Sequence, residues 1–126
     1  MLSLAVIQLD EKLIKRERNI LITTKFIYLF KKKGFPQIFQ TTYNKIDLKN
    51  QYPLNTVLAL TYLQEGGEFI IHLEKETDLF IKHKDSWLEI LEFIDKAYLF
   101  CNNKRVTLYS IVTNFLNVTK RKMKMI

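Results

Sequence analysis

The chain has one cysteine, two prolines and three glycines in 126 residues. A single thiol, Cys101, excludes an internal disulfide and a Cys-type zinc site, which points to a reducing compartment such as the cytosol. With so little glycine there is no phosphate-cradling loop, because Gly66-Gly67 lacks the lysine and helix that a nucleotide site needs after it. No apolar run reaches the ~18 residues required of a membrane-spanning helix. Met1 to Leu9 is apolar but has no basic leader or cleavage signal, and Asp10-Glu11 follow at once. It reads as a first strand and not as a signal peptide. Histidine is scarce too: His72 and His83 have no carboxylate or cysteine at ligand spacing and read as structural. No catalysis, metal or cofactor is expected.

What the chain does have is apolar bulk and positive charge. Hydrophobic residues make up 48%, with nine Phe, six Tyr and one Trp, enough for one sheet-rich core spanning 1–126. The net charge of +7 invites an anionic partner: a phospholipid surface, an acidic protein or nucleic acid. That charge is polarised. Residues 1–33 hold eight Lys or Arg and three acids, whereas residues 65–95 hold nine acids and three Lys. The acidic stretch argues against a broad nucleic-acid contact face.

The few glycines and prolines punctuate the chain. Leu4 to Leu9 forms a strand, "DEKLIKRER" a charged connection, and "NILITTKFIYLFKKK" a hairpin turning at Thr24-Lys25. Gly34 and Pro36 mark a turn before the extended pattern "PQIFQTTYNKID". Leu54 to Leu63 and Phe69 to Leu73 make two strands around Gly66-Gly67, which supply the positive φ of a tight hairpin. "TDLFIKH" adds another strand. The period then changes: Trp87, Ile90, Leu91, Ile94, Ala97, Tyr98 and Cys101 fall on one helical face. Ser86 and Glu89 are placed for a capping box, and Asn102-Asn103 for the helix end. Cys101, Trp87 and the aromatics at 93, 98 and 100 are expected to pack. "RVTLYSIV" is a last strand, followed by a basic segment over residues 118–126.

The blocks "RNILITTKFIYLF", "YPLNTVLALTYLQEGGEFIIHL", "DLFIKHKDSWLEILEFIDKAY" and "KRVTLYSIVTNFLNVTKRKMKMI" are similar, in that order, to the tail homology 1 domain of class I myosins. That domain is a pleckstrin-homology-like module, and the resemblance covers nearly the whole chain. It implies a mainly β fold, a bent antiparallel sheet or barrel capped by one amphipathic helix in the C-terminal half. No motor or lever arm accompanies it in these 126 residues, so no motor activity is expected.

The resemblance implies a non-enzymatic module contacting anionic phospholipid, especially phosphoinositide, headgroups as a membrane or cytoskeleton adaptor. The family's basic pattern falls on Lys12, Arg16 and Arg18, with Lys15 between them. Lys31, Lys32 and Lys33 would widen this headgroup patch, and Lys120, Arg121, Lys122 and Lys124 form a second, terminal cluster. Phosphate needs several converging cations, and Arg can hold two oxygens at once. Asp10, Glu11 and Glu17 interrupt the run, so a solvated mixed-charge loop remains open. The competing reading is a small structural subunit that docks on protein in a cytoskeletal or other large assembly. Both readings expect a cytoplasmic protein, peripheral to a membrane or to the cytoskeleton.

Overall fold

The computed structural model describes residues 1–10, 12, 14–31 and 50–111. The pattern "PQIFQTTYNKID", the turn at Gly34, Lys32, Lys33 and the basic segment 118–126 lie outside the described residues.

Among the described residues eight strands form one sheet. They are β1 (Leu2–Leu9), β2 (Lys15–Ile22), β3 (Phe26–Lys31), β4 (Gln51–Pro53), β5 (Val57–Leu63), β6 (Glu68–Leu73), β7 (Leu79–Lys82) and β8 (Thr107–Ile111). The single described helix, α1 (Trp87–Asn102), lies between β7 and β8. The sheet order is β4-β3-β2-β1-β7-β6-β5-β8, with β4 and β8 at the two ends. Among the described residues those ends do not pair with each other, and the sheet is open. The protein is thus mainly β with one helix in the C-terminal half, as expected.

Local chemistry explains the turns. Thr23 Oγ1 accepts from the N–H of Lys25 (3.2 Å) and of Phe26 (3.0 Å), folding the β2–β3 hairpin over a threonine. Gly66 and Gly67 close the β5–β6 hairpin with φ of 88° and 90°. A Cβ on Gly66 would come within 2.7 Å of the Trp87 indole, whose ring stacks on Tyr62 at 5.9 Å. Asn103 ends α1 in the left-handed conformation (φ 57°), its N–H donating to Leu99 O at 2.8 Å.

Four expectations need correction. The segment from Leu54 is not strand throughout. Pro53 leads into a 3-10 turn at Leu54–Thr56 that buries Leu54 fully and carries the chain from β4 to β5. The capping box does not form, because Ser86 sits at φ −113°, ψ 12° and makes no side-chain cap; its N–H instead donates to His83 Nδ1 at 2.9 Å. The sheet is not wholly antiparallel: β8 pairs parallel to β5, an arrangement the helical crossover from β7 permits. Finally, Cys101 is exposed and Phe100 is 78% exposed, so the packed stripe of α1 ends at Tyr98.

The core sits between α1 and one face of the sheet. Ile90, Leu91, Ile94, Ala97 and Tyr98 pack on Ile20, Ile27, Leu60, Phe69, Ile71 and Ile81. Each such Leu, Ile or Phe side chain contributes about 1.5–3 kcal/mol on burial, against roughly 0–1 for an exposed ion pair such as Arg105–Asp95. A second, smaller cluster of Leu63, Ile70, Phe80 and Ile111 occupies the other face.

Candidate functional site

The nominated cations divide into three groups. Lys12 belongs to the β1–β2 turn, which is built around Asp10, and Arg16 to the start of β2 beside it. One carboxylate oxygen accepts from the N–H of Lys12 and of Ile14, both at 2.9 Å, and the other from Arg16 Nε at 3.1 Å. Arg16 is therefore held by its own chain. Lys31, exposed, ends β3 directly opposite Arg18 in the register. Lys15 and Arg18 face a groove.

Contrary to expectation, Lys15, Arg16 and Arg18 lie on a strand and not in a loop, since β2 begins at Lys15. The alternation of strand side chains places Lys15 and Glu17 on one face and Arg16 and Arg18 on the other. Arg18 bends back, its Nη1 donating to Glu17 O at 2.9 Å. Four residues after Arg16, Ile20 is fully buried, so the same strand that carries the cations anchors them in the core.

The groove, about 380 Å³, is floored by Ala5, Val6 and Ile7 of β1. Lys15, Glu17 and Arg18 line one side, and Lys82, His83 and Lys84 the other. It opens where β7 stops pairing with β1: β7 contacts only Ile7, Gln8 and Leu9, while β1 continues back to Leu2. His83 N–H donates to Gly67 O (2.8 Å), so the β5–β6 turn holds the wall that carries His83 and Lys84. The groove is thus lined by four Lys or Arg residues, with Lys15 and Arg18 on opposite faces of β2, and by one acid, Glu17, while Glu68 adjoins Lys82 across the sheet. Such a set suits a compact anion with several charged oxygens.

Sequence reasoning missed Lys82, His83 and Lys84. The signal was present in the run Ile81-Lys82-His83-Lys84, but averaging charge over residues 65–95 buried two lysines among nine acids.

His72 also has a partner that spacing did not indicate. Its Nδ1 lies 2.8 Å from Asp78 Oδ2 and its Nε2 2.6 Å from Thr61 Oγ1. A carboxylate only accepts, so Nδ1 donates to Asp78, and in the neutral ring Nε2 accepts from Thr61. The order hydroxyl, imidazole, carboxylate is that of a hydrolytic triad. Yet Thr61 and His72 are each only 1% exposed, so the hydroxyl meets no substrate in this conformation. The array fastens β5, β6 and the start of β7. Among the described residues no three His, Cys, Asp or Glu side chains gather at metal-binding distance.

Among the described residues, Asp10 has a shifted titration. Its carboxyl is held below the usual aspartate value, chiefly by the Ile14 N–H, against a smaller opposing effect of desolvation, with Lys12 N–H and Arg16 assisting. A depressed carboxyl stabilises the turn above its unfolded value and loses that effect as pH falls through the folded one. The β1–β2 turn is therefore expected to stay closed at neutral and mildly acidic pH and to open only below the ordinary aspartate range. Amide exchange at Lys12 and Ile14 across an acid titration checks this; loss of protection already near pH 6 would contradict it.

The chain matches no protein-family model and no curated protein. No helix among the described residues is long and apolar enough to cross a membrane.

Proposed function

We propose that the chain is a non-enzymatic binding module of pleckstrin-homology-like fold that contacts anionic phospholipid headgroups, phosphoinositides foremost, as a peripheral membrane or cytoskeleton adaptor in the cytoplasm. The observation that carries the reading is that cations of two separate segments line one groove: Lys15 and Arg18 of β2, with Lys82 at the end of β7 and Lys84 just beyond it. Scattered solubilising lysines would not do so. The resemblance to myosin tail homology 1 domains supports the same reading from the order of the strands and the helix. Each Lys or Arg near an anionic surface contributes about 1 kcal/mol, so four give useful but reversible attachment.

A second reading, docking within a protein assembly, is favoured by exposed apolar side chains: Leu88 (50%) on α1, Phe100 at its end and Leu108 (51%) on the end strand β8.

Co-sedimentation with vesicles tests the first reading. Binding is expected to vesicles containing phosphoinositide and not to neutral ones, and to weaken as salt rises and screens exposed charge. Absence of binding at physiological salt retires it in favour of the second.

A further inference from the structure

The groove has a property that a headgroup does not use: its floor is a strand edge. Along an antiparallel strand, successive residues direct their main-chain hydrogen bonds to alternate neighbours. Three bonds fix the phase here. Asp10 N–H donates to Ile14 O at 3.2 Å, which makes Gln8–Arg16, Val6–Arg18, Leu4–Ile20 and Leu2–Ile22 the pairs bonded between β1 and β2. Thr23 N–H donates to Phe26 O (2.9 Å), which turns Leu21 toward β3 and agrees with that phase. His83 N–H bonded to Gly67 O turns Lys82 and Phe80 toward β1, opposite Ile7 and Leu9.

It follows that Ile7 and Leu9 direct their main-chain groups to β7, and that Ser3 and Ala5 direct theirs to the same side. There β7 has already left the sheet. Among the described residues no strand pairs with β1 at Ser3 or Ala5 on that side, and both residues are exposed. Two N–H and two C=O groups thus face outward along this edge, about 7 Å apart, those of Ala5 within the groove and those of Ser3 just beyond it.

We propose that the free β1 edge at Ser3 and Ala5 accepts an extended acidic segment of a partner protein as an added strand, with Lys82 and Lys84 beside its acidic side chains. The main-chain groups select the kind of ligand. An ionised phosphate offers acceptors only and leaves the Ser3 and Ala5 carbonyls without donors, whereas a peptide strand brings both. The cations select its charge, four of them against Glu17. The two ligands share the same lysines, so a bound strand and a membrane exclude each other. The inference goes beyond the headgroup reading and stands without it.

The test uses the whole chain and a synthetic peptide of alternating valine and glutamate, with a valine–lysine peptide as control. The acidic peptide is expected to bind and to slow amide exchange at Ser3 and Ala5. Ala5→Pro removes one edge donor, at a strand position where proline is tolerated because its N–H faces outward. It is expected to weaken peptide binding about tenfold or more. Equal peptide binding by Ala5→Pro, protection at β4 or β8 instead, or no binding by the natural chain would overturn the proposal. If Ala5→Pro proves unfolded by thermal melting, the exchange pattern of the natural chain decides alone.

Discussion

Reversing two charges on opposite walls of the groove, Lys15→Glu with Lys84→Glu, is expected to weaken binding to phosphoinositide vesicles by roughly a hundredfold. Both side chains are exposed, so the fold should survive, as thermal melting will report. Each reversal removes an attraction of about 1 kcal/mol and adds a repulsion, giving about 3 kcal/mol for the pair after screening. Net charge falls by the same amount if Lys25→Glu and Lys96→Glu are made instead. Lys25 lies in the turn at the opposite end of β2 from Lys15, and Lys96 on α1; both are exposed. That control pair is expected to cost about tenfold less. Equal losses would mean that the +7 chain is drawn to membranes by diffuse charge and that the groove has no special standing.

The comparison of the two variants matters because the nominated basic motif and the observed groove differ. Arg16 fits the family pattern as well as Arg18 does, but it is fixed on Asp10. That contact joins side chains six residues apart across a hairpin turn, and it depends on Asp10 turning inward to bind Lys12 and Ile14. Charge spacing carries no trace of such a turn.

Strands and the helix were legible because burial imposes a period. The alternation along the first half of β1 and the three-and-four spacing from Trp87 to Tyr98 are each the imprint of one apolar face, and the apolar runs of β2 and β3 mark strands buried on both faces. What failed was local. Cys101 and Phe100 extend the sequence pattern, but the helix ends at Asn102 and its last turn overhangs the core. The parallel pairing of β8 was hidden for another reason: it depends on where α1 delivers the chain, and a strand's own residues do not encode its neighbour's direction. The groove was hidden most of all, since it joins residues 5–7, 15–18 and 82–84, which only the β1–β7 pairing brings together.

Replacing Gly66 with alanine is expected to lower stability by about 2–4 kcal/mol, and it tests how the groove wall is held. Two costs add. At φ 88° an L side chain is strained by about 1–2 kcal/mol. Its methyl would also sit 2.7 Å from Trp87 Nε1, with two further ring atoms within 2.9 Å, so the indole must move off Tyr62. Gly67→Ala serves as the comparison, because its φ of 90° carries the strain alone and its Cβ meets only the Lys84 Cα at 3.9 Å. Chemical denaturation of the two variants should therefore separate strain from collision, with Gly66→Ala the less stable. The displacement should also travel. Trp87 opens α1, and Gly67 O receives the His83 N–H, so one turn braces both the helix start and the wall bearing Lys84. Vesicle binding by Gly66→Ala, measured where the variant is still folded, is accordingly expected to fall severalfold although no charge has changed. Unaltered binding beside reduced stability would show that Lys84 reaches its ligand without help from the hairpin.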